Sequence, residues 1–91
     1  MNSTIILKHD RTQGTLRLVF EEKIIKGGIK VLIRLYFTWQ HYKRWYENEE
    51  HIVSDKSEFE DLKNRTLNVF FLWGWRLATE EEAKESNNDP R

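Results

Sequence analysis

Residues 36–46 read Tyr-Phe-Thr-Trp-Gln-His-Tyr-Lys-Arg-Trp-Tyr, a run that interleaves aromatic and basic side chains. Rings that stack on bases, with cations that follow phosphates, make a single-stranded nucleic-acid platform. The same rings make anchors for a protein partner, with Lys43 and Arg44 setting orientation. A third use is internal: Phe37 and Trp39 fill a core while Tyr and Arg cover its rim. The run lacks the aromatic-glycine pattern of an RRM strand and any KH loop. Its candidate contact residues are Tyr36, Trp39, Tyr42, Lys43, Arg44, Trp45 and Tyr46. Directly after them Glu47, Glu49 and Glu50 form a secondary acidic surface, a handle for a basic partner.

Other chemistry finds less support. The three histidines, His9, His41 and His51, are far apart in sequence, and a meeting of His51 with Glu47 and Glu50 is more simply an acidic loop, so no metal is expected. His9 and Asp10 are adjacent, and adjacent strand residues point to opposite faces, which removes them as an acid/base pair. Arg34, Tyr36, His41, Tyr42, Lys43 and Arg44 supply the side-chain types of a small toxin-type ribonuclease. A formal net charge of zero argues against it, because such an enzyme must grip a polyanion. Gly27-Gly28 has none of the downstream Gly, Lys and Ser/Thr of a phosphate loop. No catalytic residue and no cofactor is assigned.

The elements that must carry these residues begin with a hairpin. From Ile29 to Trp39 every odd position is apolar, a period of two over a segment rich in β-branched and aromatic residues. Gly27-Gly28 supplies positive φ for a two-residue turn, so Lys26 faces Ile29 and opposing residue numbers sum to 55. That register sets Leu16 against Trp39, Leu18 against Phe37, Phe20 against Leu35 and Ile24 against Val31 on one face. On the other it sets Glu21 against Arg34. Glu22, opposite Ile33, spoils the inner face and marks a candidate bulge. An earlier strand, Thr4 to Lys8, pairs Leu7 with Leu16 and Ile5 with Leu18 across a turn at residues 9–14. The expected fold is therefore α+β: a three-stranded antiparallel meander (4–8, 15–26, 29–40) with a packed helix over 57–65.

Asp55 with Glu58, or Ser57 with Glu60, caps that helix, which buries Phe59 and Leu62. Residues 66–77 admit two assignments. As a strand, Leu67, Val69, Phe71, Trp73 and Trp75 alternate; as a continued helix, the apolar stripe is Phe59, Leu62, Thr66, Val69, Phe70, Trp73, Leu77. The strand is favoured because Thr66, Val69 and Gly74 are mediocre helix residues. A fresh helix start at Thr79, with Glu82 three residues on, favours it too and opens a short helix over 80–86. Residues 40–54 extend the third strand or form a helical turn, with 47–50 a solvated acidic loop. Val19, Ile25, Leu32 and Tyr36 lie on the face away from the core. Segment 66–77 is expected to cover them, with self-association into a homodimer as the other use of that face. Residues 1–85 form one domain and 86–91 a polar tail expected to be disordered.

Composition bounds the function. Twelve aromatic residues (four Trp, three Tyr, five Phe) let a short chain build a core with few side chains. No apolar run approaches the ~20 residues that span a bilayer, so no membrane partner is expected. The N-terminus has no basic stretch ahead of its aliphatics, so a signal peptide is not expected either. The absence of cysteine fits a reducing cytoplasm. The chain has the general look of small accessory proteins of phages and other mobile elements. Its expected role is that of a non-catalytic protein-binding module, an inhibitor or regulator that occupies a surface of a larger, nucleic-acid-processing protein. The alternatives are a single-stranded nucleic-acid binder that uses residues 36–46 and, behind it, the small ribonuclease.

Overall fold

Alternating apolar residues on three consecutive segments build a sheet, and one long capped helix closes its inner face. The computed structural model describes residues 2–39, 42–45 and 49–87, with side chains described for 2–38 and 49–84. In chain order the elements are β1 (Asn2–His9), β2 (Thr15–Ile25), β3 (Gly28–Trp39), β4 (Tyr42–Trp45), β5 (Glu49–Val53), α1 (Lys56–Leu72), β6 (Trp75–Leu77) and α2 (Glu80–Asn87). The six strands among the described residues form one antiparallel sheet in the order β4-β3-β2-β1-β6, with β5 also pairing β3. An α+β architecture is what results.

The β1–β2 pairing matches the expected register, Leu7 with Leu16 and Ile5 with Leu18. The β2–β3 register differs by two residues. Leu16 faces Phe37, Leu18 faces Leu35, Phe20 faces Ile33 and Ile24 faces Ile29, so opposing numbers sum to 53. A shift of two preserves both faces, because side chains alternate with a period of two. The turn is Lys26-Gly27, and only Gly27 takes a positive φ, +86°. Gly28 instead opens β3, opposite Ile25, for a reason that lies outside the hairpin. A Cβ on Gly28 would land on the carbonyl oxygen of Val53, so the glycine lets β5 close on the β3 edge. Glu22 pairs directly with Val31 and marks no bulge.

Residues 40–54 hold two strands that the sequence did not reveal. β4 pairs residues 36–39 of β3, and β5 pairs residues 29–33, so both line the same edge. Glu49 and Glu50 sit in β5 rather than in a loop. Tyr46 and Glu47 lie outside the described residues.

Segment 66–77 divides. Residues 66–72 continue the helix, contrary to the favoured strand, and 75–77 form the short strand β6 against β1. Asp55 caps α1 by accepting from Glu58 N at 2.9 Å, while Glu58 Oε2 accepts from Ser54 N at 2.6 Å. From there nothing breaks the helix before its end, and the low propensities of Thr66 and Val69 cost only tenths of a kcal/mol each. Thr66 Oγ1 donates back to Leu62 O at 2.8 Å. Gly74 belongs beyond the helix: its φ of +94° and its N–H to Phe71 O, 3.2 Å, make it the left-handed terminator. Thr79 and Glu82 form the expected reciprocal cap, at 3.3 and 2.9 Å, and start α2, which includes Ser86 and Asn87. The rest of the expected tail, 88–91, lies outside the described residues.

The main core lies between the inner face and α1: Leu18, Phe20, Ile29, Val31 and Ile33 under Phe59 and Leu62. The Phe20 and Phe59 rings meet edge to face with centroids 6.4 Å apart. Toward the far end of the same face Leu7 and Leu16 are buried, and Phe37 meets Trp75 edge-on at 5.9 Å.

Candidate protein-binding surface

The stripe that periodicity assigns to the core of α1 is only half used. Phe59 and Leu62 are buried and Phe70 is half-buried, but Leu72 is 84% exposed and Trp73 73% exposed. Val69, Phe71 and Leu77 are exposed beside them in chain order. Val69, Leu72 and Trp73 are spaced i, i+3, i+4 and share one side of the helix end. Four large apolar residues in succession, Phe70 to Trp73, wrap about 300° of helix circumference at 100° each, and a single sheet cannot bury that arc. This run is the signal in the sequence that sequence reasoning passed over.

The corner is held in place by its neighbours. Thr12 N donates to His9 Nδ1 at 3.4 Å, which leaves the Nε2 proton to be donated to Trp73 O at 3.3 Å. The His9 ring also meets the edge of Trp75, centroids 5.2 Å apart. The turn after β1 therefore clamps the end of α1.

Arg76 fastens β6 and α2 at the same end. Its guanidinium donates to both Asp10 oxygens and to both Glu82 oxygens, at 2.8–3.1 Å. The hydrogen bonds from Arg76, assisted by the Thr79 backbone N–H, hold the Glu82 carboxyl down to about 2. The Arg76 hydrogen bonds likewise lower Asp10, and the two carboxylates hold Arg76 firmly charged.

Beside the corner a cleft of ≈ 330 Å³ opens between sheet and helix. Its described lining is Ile33 and Leu35 of β3, Thr66, Val69 and Phe70 of α1, and Glu49 of β5. The cleft suits an apolar side chain. Glu49 is the one ionisable group in the described lining, and its Oε2 lies 3.4 Å from His51 Nε2.

The sequence-assigned contact residues do not gather here. Tyr36 is buried, 4% exposed, on the face away from α1, with the Arg17 guanidinium over its ring at 5.6 Å from the centroid. Trp39 pairs with Tyr42 and Phe37 with Arg44, while Lys43 pairs with Thr38 and Trp45 with Tyr36. Residues 36–39 and 42–45 are thus two paired antiparallel strands whose residues fall in alternating rows. The side chains of Trp39, Tyr42, Lys43, Arg44 and Trp45 lie outside the described ones. Glu49 and Glu50 are exposed on β5, Glu50 3.5 Å from Lys30 Nζ. Segment 66–77 does not cover Val19, Ile25, Leu32 and Tyr36, since its helical part packs on the other face. Val19, Ile25 and Leu32 are half-buried among their own strand neighbours.

Among the described residues no group of three His, Asp or Glu is placed to hold a metal, and no helix is long and apolar enough to cross a membrane. Comparison with known proteins finds no matching family model, no matching curated protein and no matching solved structure.

Proposed function

We propose that this chain is a non-catalytic protein-binding module, an inhibitor or regulator that works in the cytoplasm by occupying a surface of a larger protein. The observation that carries the proposal is the overhang of α1, where a core-type apolar stripe runs past the sheet and leaves Leu72 and Trp73 bare. Water-exposed Trp and Leu side by side on a clamped helix end are what a buried hot spot requires: large area and little ordering entropy left to lose. The adjoining cleft accepts an apolar side chain of the partner, and Glu49 at its rim suits a basic residue next to it.

The test is a paired measurement on Leu72→Ser–Trp73→Ser. Both side chains are exposed, so the unfolding midpoint should stay close to wild type. Capture of the partner from source cells, and protection of residues 66–77 from hydrogen exchange in that complex, should be lost. Ile24→Ser, at an exposed site on the hairpin tip, should leave capture intact. Undiminished capture by the double variant would remove the corner from the interface. Light scattering that finds a wild-type dimer, dissociated by the same two changes, would replace the foreign partner with a second copy.

A further inference from the structure

We infer that the partner seated on the α1 corner is a basic amphipathic helix, an inference that rests on the reading of that corner as a docking surface and adds the shape and charge of the occupant. Such a helix carries apolar residues along one face, to enter the cleft and cover the overhang, and Lys or Arg on the flanks of that face.

The surface has the form of a helix ridge beside a cleft. Thr66, Val69 and Phe70 line the cleft from α1, and Ile33 and Leu35 line it from the sheet. Val69, Leu72 and Trp73, exposed and spaced i, i+3, i+4, carry the helical side on past the cleft. A second helix buries such a ridge by laying its own ridge alongside, with axes about 8–10 Å apart. An extended segment would instead need a run of unpaired backbone on the β3 edge. The β4 register stops at Tyr36 and the β5 register at Ile33, so only Arg34 and Leu35 lie between the two. Two residues are too few to seat a strand.

Charge fixes the flanks of the occupant. Zero net charge hides a segregation: residues 47–91, which supply β5, α1, β6 and α2, hold six basic and twelve acidic side chains. The cations in the middle of α1 are already matched, Lys63 Nζ 3.5 Å from Glu60 and Arg65 Nε 3.2 Å from Asp61. Glu49 differs from those acids. Its side chain is 74% exposed at the cleft, and the group beside it is His51, an imidazole that carries charge only when protonated. The last turn of α1 holds no basic residue to offset the partial negative charge of its C-terminal carbonyls. An apolar cleft with an exposed carboxylate in its lining and a helix C-terminus beside it favours cations around an apolar anchor. For the same reason it disfavours an acidic helix or an anionic lipid surface.

The experiment is fluorescence anisotropy with three labelled peptides of about 18 residues, long enough to hold a helix. One has Leu at i, i+3, i+4 and i+7 with Lys elsewhere, one replaces Lys by Glu, and one shuffles the Leu/Lys composition to remove the apolar face. The Leu/Lys helix should bind, with the shuffled peptide about tenfold weaker and the Leu/Glu helix weaker still. Leu72→Ser–Trp73→Ser should lose about thirtyfold. Glu49→Gln should lose about threefold at roughly 50 mM salt and less at roughly 500 mM. Glu80→Gln–Glu81→Gln, on α2 and outside the described cleft lining, should change nothing. Equal binding of the shuffled peptide, or a loss in the α2 variant equal to that of Glu49→Gln, would reduce the effect to bare charge attraction and overturn the inference. So would a wild type that ignores the Leu/Lys helix or prefers the Leu/Glu one, and so would Leu/Lys binding that survives Leu72→Ser–Trp73→Ser. The docking corner has its own test: a captured partner that protects residues 66–77, and is lost with Leu72→Ser–Trp73→Ser, keeps the corner even where the peptides remove the basic helix.

Discussion

Glu22 Oε2 lies 3.0 Å from Lys56 Nζ, joining the inner face of β2 to the first turn of α1. The glutamate that interrupts an otherwise apolar face is thus a tether for the helix. Its side chain is 12% exposed, while the lysine, also 4.6 Å from the Phe59 ring centroid, is largely in solvent. Removing the lysine takes one charged partner from a poorly solvated carboxylate. Lys56→Ala should cost about 1–2 kcal/mol, more than Lys63→Ala, and a double cycle with Glu22→Gln should show coupling of about 0.5–1 kcal/mol. Urea unfolding midpoints of the four proteins measure it; additive effects would show that the pair contributes nothing.

The two hairpin glycines should separate cleanly. Gly27 needs a left-handed backbone and has open space around its missing Cβ, whereas Gly28 needs room against Val53. Asparagine tolerates left-handed φ, so Gly27→Asn should hold the melting temperature within a few degrees. Gly28→Asn must push β5 away and should lower it by roughly 10 °C, at about 2 kcal/mol. Equal losses would mean that one requirement governs both positions.

The Arg76 cluster gives a pH signature. Glu82 and Asp10 have carboxyls depressed by Arg76 in the folded state, so they bind protons more weakly folded than unfolded. Their contribution is present above the ordinary carboxylate range and disappears as pH falls from about 4.5 toward about 2. Arg76→Gln should therefore be less stable than wild type at pH 6, with the gap closing by pH 2. A gap that stays constant over that range would assign the Arg76 effect to packing.

Phe59 carries the helix-to-sheet core and is fully buried against Phe20. Phe59→Ala should cost about 3–5 kcal/mol, and Phe59→Leu about 1–2, in a domain whose total stability is of order 5–10 kcal/mol. Denaturant titration reads both. The same truncation at Trp73, exposed at the other end of the stripe, should cost under about 0.5 kcal/mol. A large loss there would place Trp73 in the core and remove it from the docking surface.

The contrast between the strands and the helix shows what was legible from one dimension. Period-two alternation in β1, β2 and β3 assigned every side chain to its face, and the Leu7–Leu16 and Ile5–Leu18 pairs followed directly. Capping pairs at Asp55 or Ser57 and at Thr79 marked both helix starts to within two residues, because capping is chemistry among residues three apart, and Asp55 proved to be the first cap. The proposed docking corner was not read from the sequence, although Phe70 to Trp73 form a run too apolar for one face of a helix.

Tertiary structure decided whatever depended on distant neighbours. Gly28 left the turn for the strand because Val53 approaches it, a contact 25 residues away in sequence. The β4 and β5 strands exist because the β3 edge offered unpaired backbone groups to a segment with no strong alternation of its own. Residues 66–72 suited helix and strand equally by pattern. The helix prevailed because one started at Asp55 had no stop before Gly74 and already had the Phe20–Val31 face to cover. Which half of its stripe was core and which was surface depended on where the sheet beneath it ends, a length no local pattern encodes.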